Sequence, residues 1–179
     1  MNFDWRAAYP SVRVPIFARN VVSTSHPLAA QVGLSLLQRG GNAVDAAVGA
    51  AAAMTVLEPC SNGLGSDAFC ILWDGRQLHG LNASGPAPAA WTLDYFRRKY
   101  GATQSPPERG WDSVTVPGAV AAWVELAQRF GKLALDDVLG PAIEIAERGY
   151  AVPLIVQEKW AAATADLKQT PRQPRIVVK

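Results

Sequence analysis

Apolar positions along this chain follow a helical period first and a strand period later. Leu28, Val32 and Leu36 recur every four residues, so the spacing predicts a helix with one apolar face. Ser25 is placed to cap it, and Pro27 fits its first turn, where a missing N–H costs little. Gly40-Gly41 ends it, since glycine accepts the left-handed backbone that follows a helix. Asn42 then caps a second helix, with Asp45 in its first turn facing the positive end of the helix dipole. From Ala46 to Leu57 that helix carries no charge and mostly small side chains. A helix apolar on every side is buried on every side, so this one is expected at the centre, pressed against a sheet. It is too short to cross a bilayer, which takes roughly 20 apolar residues.

The pattern then changes. Asn20 to Thr24 is a short β-rich run ahead of the first helix, and residues 1–13 read as an extended arm. Ala68 to Trp73 reads as a buried strand, Asp74-Gly75 as a hairpin turn, and Arg76 to Asn82 as the returning strand. Thr92 caps a short helix from Leu93 to about Lys99, stopped by Gly101. Residues 102–110 are loop, and Ser113 to Val116 is a short extended piece. Three further helices are expected: Val120 to Phe130, Leu135 to Arg148 interrupted at Gly140-Pro141, and Leu154 to Leu167.

Composition narrows the function classes. At 179 residues and 49% hydrophobic, the chain can bury a sizeable core. Its net charge is +2, but Lys168, Arg172, Arg175 and Lys179 all fall in the last twelve residues; without them the body is at −2. That leaves no cationic body for nucleic acid, and the tail reads as solvated. Cys60 and Cys70 do not form a CxxC pair, and His26 and His79 are not at metal-ligand spacing, so neither a metal nor a cofactor is expected. Met1 to Pro15 lacks the apolar core of a secretory signal, and no segment reads as a membrane span, so a cytoplasmic location is expected.

Four landmark stretches stand in a specific order: Ser25-His26-Pro27-Leu28-Ala29, Gly40-Gly41-Asn42-Ala43-Val44-Asp45-Ala46, Glu58-Pro59 with Asn62-Gly63-Leu64-Gly65, and Val116-Pro117-Gly118-Ala119-Val120. In that order and spacing they resemble the start of the large subunit of the gamma-glutamyltransferase family, from about Val21 to about Ala163. The resemblance implies the α/β, four-layer αββα sandwich of N-terminal-nucleophile hydrolases, of which this chain would be the N-terminal fragment. It makes residues 1–179 one partial domain: an arm over 1–19, the family-like region over 20–167, and a basic, irregular tail over 168–179. It also implies a precursor that cuts itself ahead of a threonine, whose hydroxyl and free amine then serve as nucleophile and base. A small-molecule amide would form an acyl-enzyme, resolved by water or an amine.

No catalytic residue is expected in this chain, because the family's nucleophile and oxyanion donors belong to a later region. The missing partner is therefore the C-terminal half or small subunit. Thr24-Ser25-His26 superficially resembles the family's Thr-Thr-His cut site, but its flanks match the opening landmark, so it reads as strand end and helix cap. Asn62 to Asp67 lacks the lysine and third glycine of a phosphate loop and reads as a structural turn.

The candidate substrate-binding residues are Ser84 and Gly85, in Leu81-Asn82-Ala83-Ser84-Gly85-Pro86. In glutathione-acting members an arginine stands where this chain has Ser84, and its two parallel N–H groups grip the α-carboxylate of the glutamyl group. The serine form resembles the branch that includes oxamate amidohydrolase. The alternative is that Ser84 is only a turn residue before Gly85-Pro86. For the whole chain, the alternatives to an amide hydrolase or acyltransferase portion are a truncated, inactive structural or binding fragment, or part of a glutathione-acting transpeptidase whose clamp lies elsewhere.

Overall fold

The structure, a computed structural model, describes residues 14–102 and 104–169, with side chains as far as Thr164. The arm expected over 1–19 lies outside the described residues as far as Arg13, as does the tail from Thr170; residues 14–19 are exposed and neither helical nor stranded.

Helix α1, Pro27–Gln38, is capped by His26 and not by Ser25 as the sequence suggested. Pro27 takes the first helical position and has no N–H to offer, so the cap must reach Leu28 N. The Nδ1 of His26 does so at 3.2 Å, while the Ser25 hydroxyl donates to Glu58 Oε2 at 3.1 Å. The helix stops as expected. Gly40 has φ +92°, Gly41 N donates to Leu36 O at 3.0 Å and Gly40 N to Leu37 O at 3.2 Å, the pair of bonds that defines a Schellman end.

Helix α2, Ala43–Leu57, starts from a complete capping box. Asn42 Oδ1 accepts from Val44 N and Asp45 N, and Asp45 Oδ2 accepts from Asn42 N at 2.7 Å. Asp45 is 1% exposed and does more than cap. Its carboxylate also accepts from Lys132 N at 3.1 Å and Leu133 N at 3.3 Å, and Asn42 Nδ2 donates to Phe130 O at 2.6 Å. The start of α2 is thereby fastened to the turn between α4, Ala119–Phe130, and α5, Leu135–Arg148.

The neighbours of α2 differ from expectation. It packs chiefly against α1 and α5, and to a lesser extent α4, rather than against a sheet. Gly49 explains the close approach: a Cβ there would lie 2.2 Å from Leu36 Cδ1 and 3.1 Å from Val138 O. Small residues on this helix admit other helices, and the hairpin instead lies over α4. Nor is α2 buried on all sides, since Ala43 and Ala47 are exposed and Ala51 half-buried along one stripe.

Strands β1, Ala68–Trp73, and β2, Leu78–Ala83, form an antiparallel hairpin in register from Ala68 opposite Ala83 to Trp73 opposite Leu78. The buried strand expected at 68–73 is in fact half-exposed. Cys70 and Leu72 turn inward, while Phe69, Ile71 and Trp73 are 66%, 82% and 61% exposed. Alternation is what a two-stranded ribbon covered on one face requires. The second strand begins at Leu78 rather than Arg76, because Asp74 Oδ1 draws Arg76 N and Gln77 N into the turn at 2.7 and 2.8 Å.

Helix α5 runs through Pro141 without the expected interruption. Proline leaves the carbonyl four residues earlier, that of Asp137, without its helical donor. Arg39 supplies the replacement: Nη1 approaches Asp137 O at 3.5 Å while Nη2 pairs with the Asp137 carboxylate at 3.2 Å. Helix α3, Leu93–Tyr100, forms as the sequence predicts, capped by Thr92 and ended at Gly101. A short 3₁₀ turn, Trp111–Ser113, takes the first residue of the expected extended piece. Helix α6 covers Leu154–Gln169 and so includes the first two residues assigned to the tail. No helix among the described residues is long and apolar enough to cross a membrane.

Candidate functional site

Two of the sequence landmarks and the candidate substrate-binding stretch meet at one place. Ser66 closes the glycine-rich turn, its N–H and hydroxyl both donating to Gly63 O at 3.2 and 2.6 Å. Its own carbonyl accepts from Gly118 N at 3.1 Å and Ala119 N at 2.9 Å, the first N–H groups of α4. The turn at 62–67 is thus structural, and it sets where α4 begins.

Ser84 and Gly85 lie beside that junction. Ser84 O accepts from the Thr115 hydroxyl at 3.2 Å, Pro86 O accepts from Val116 N at 3.0 Å, and Ser84 N donates to Asn82 Oδ1 at 3.0 Å. Gly85 has φ +76°, and a Cβ there would fall 1.7 Å from Val116 O. A Cβ on Gly118 would fall 2.0 Å from Ala83 O. Two glycines therefore let the 82–86 and 115–118 segments cross backbone against backbone. The Ser84 side chain is half-buried, and its hydroxyl has no hydrogen-bond partner among the described residues. An open cleft of about 640 Å³ adjoins, lined by Asn82, Ser84, Gly85, Pro86, Val116 and Pro117 among others, none of them charged.

A second polar cluster was not legible in the sequence. Asp112, 7% exposed, accepts from the Tyr95 hydroxyl at 2.9 Å, from the Tyr100 hydroxyl, and from Lys99 Nζ at 2.6 Å. The Lys99 ammonium, followed by the Tyr100 and Tyr95 hydroxyls, lowers the Asp112 carboxyl to about 2. The same carboxylate raises Tyr100 and Lys99 above their usual values. A Tyr-x₃-Lys-Tyr run on α3 was the available signal, but nothing local identified its acceptor.

The Thr24-Ser25-His26 stretch holds no nucleophile–base pair in which His26 serves as base. His26 is committed through Nδ1 to α1, and its buried Nε2 has no partner. Tyr150, 6.2 Å from it ring to ring, hydrogen-bonds the carbonyls of Val56 and Leu57 and so holds the end of α2.

Helices packed around α2, with one hairpin beside α4, make up the described fold, and comparison with known proteins identifies its family. The chain belongs to the gamma-glutamyltranspeptidase family, whose sequence profile matches residues 29–179. It is 39% identical over 163 residues to the Acylase ACY 1 proenzyme of Pseudomonas sp. (strain V22), covering 86% of this chain and 29% of that one. It is 35% identical over 158 residues to the oxamate amidohydrolase proenzyme of Klebsiella pneumoniae, covering 83% of this chain and 28% of that one. The crystal structure of cephalosporin acylase from Bacillus halodurans superposes with a TM-score of 0.89 at 48% identity, covering 98% of this chain and 33% of that one. The chain therefore spans about a third or less of the length of these relatives.

Proposed function

We propose that this chain is the N-terminal portion of an amide hydrolase or acyltransferase acting through an N-terminal threonine, carried by a region of the protein beyond these residues. Its partner is that remaining region, and its substrate is a small amide whose acyl group enters near Ser84 and Gly85. The observation that carries this reading is the cleft at Ser84. It lies where the 82–86 and 116–118 segments cross, and none of the described residues lining it is charged.

The lack of a cation argues for the acyl group. A γ-glutamyl group brings an α-carboxylate, which meets no cation among the residues of this chain lining the cleft, a penalty that grows as the charge is desolvated. Acyl groups without the α-carboxylate and its ammonium escape that penalty.

The test uses n-butyryl p-nitroanilide, which has the γ-glutamyl chain without its two charges. The protein extended to the length of its relatives should hydrolyse it, and the 179-residue chain alone should not. Turnover by the short chain, lost on Thr24→Ala, would place the nucleophile inside it and overturn the reading.

A further inference from the structure

We infer that Asp112 is a positioning residue for the Ser84–Gly85 site, acting through the returning segment that carries Thr115 and Val116. This rests on the reading that Ser84 faces substrate.

The chain leaves the site at Pro86 and comes back at Thr115. Between them it builds α3, a loop and the 3₁₀ turn, a lobe that makes no extensive packing against the other helices or the hairpin. Among the described residues its geometry comes from within. Asp112 provides the tie. It is the common acceptor for three side chains of α3, those of Tyr95, Lys99 and Tyr100, and it is buried where they meet. Lys99 Nζ also donates to the Tyr95 hydroxyl at 3.1 Å, so the donors brace one another. The rings of Phe96 and Tyr100 stack on the same helix, and Trp91 packs edge-on to Phe96.

The consequence reaches the site directly. Asp112 lies three residues before Thr115 and four before Val116, and these make the two hydrogen bonds that hold Ser84 O and Pro86 O. Ser113 Oγ to Gly110 O and Val114 N to Trp111 O stiffen the intervening turn. Loss of the common acceptor frees the 3₁₀ turn from α3. The returning segment then loses its direction, and Val116 no longer bears on Gly85. A loop released this way weakens substrate binding while leaving a distant nucleophile intact.

The experiment uses the full-length mature enzyme with n-butyryl p-nitroanilide. Asp112→Asn removes the charge at constant size, and Tyr100→Phe removes one donor while keeping the ring, which guards against a variant that fails to fold. The expected result is a KM raised fivefold or more in Asp112→Asn, with a smaller rise in Tyr100→Phe and kcat within twofold of wild type. Tryptic cleavage at Arg109 should accelerate at least tenfold in Asp112→Asn. Unchanged KM in both folded variants, or a loss of kcat alone that follows the folded fraction, overturns the inference. The underlying reading fails separately: its own test is whether Ser84→Arg alters acyl preference, which needs no change at Asp112.

Discussion

The carbonyl of Val116 occupies the space beside Gly85 so closely that a methyl group there would sit 1.7 Å from its oxygen. Gly85→Ala should therefore cost more than a left-handed backbone alone costs. Gly101 has a similar φ, +83°, but open space around it, and makes the control. In the full-length protein Gly101→Ala should lose about 1–3 kcal/mol, the cost of its glycine-type backbone alone, and Gly85→Ala should lose more by denaturant unfolding. Equal losses would mean the two segments do not cross as described.

Asp45 gathers backbone donors from Asn42, Lys132 and Leu133 in a buried setting. Asp45→Ala leaves all three without an acceptor. A loss of about 3 kcal/mol or more is expected, with Asp45→Asn intermediate because one oxygen remains. Thermal unfolding of the two variants checks the order.

Much of this was readable in advance where the signal is local. The capping box at Asn42 and Asp45, the Gly40-Gly41 stop and the helix between Thr92 and Gly101 all depend on residues within a few positions of one another. What the sequence hid depends on distant partners. His26 takes the cap because Ser25 is drawn to Glu58, 33 positions away, and α5 runs through Pro141 because Arg39 reaches Asp137, 98 positions away. The one-sided burial of β1 could not be seen in an unbroken apolar run, which fits a buried strand equally well. Ser84 and Gly85 were singled out from the family pattern. Their contact with Thr115 and Val116, and the role of Asp112, needed the three-dimensional structure.

Helix α2 meets α1 at Gly49, where Leu36 Cδ1 fills the space a side chain would need. Gly49→Ala should destabilise by about 2 kcal/mol despite alanine's better helix propensity. Leu36→Val withdraws the obstructing methyl, so the double variant should lose less than the two single losses together. Additive losses would show that Leu36 is not the obstruction.

The acid limb of stability is set in part by Asp112 and Asp74. Both carboxyls are lowered to about 2, Asp112 first by Lys99 and Asp74 first by the Gln77 N–H and then by His79. A carboxyl lower in the folded state than in the unfolded one stabilises above its unfolded value, near 3.9, and loses that contribution as pH falls through 2. Asp112→Asn should flatten the fall in melting temperature between pH 4 and pH 2, and Asp74→Asn should do so independently. A wild-type slope in both variants would mean neither carboxylate is held as described.

The central claim is that the site around Ser84 favours acyl groups without a charged α-carbon. It is tested most directly by the ratio of kcat/KM for n-butyryl p-nitroanilide over γ-glutamyl p-nitroanilide, measured for the full-length enzyme and for Ser84→Arg. Wild type should favour the butyryl compound, and Ser84→Arg should move the ratio at least tenfold toward the γ-glutamyl compound as the new guanidinium pairs with its carboxylate. A wild-type enzyme that prefers the γ-glutamyl compound, with a ratio unmoved by Ser84→Arg, would contradict the account.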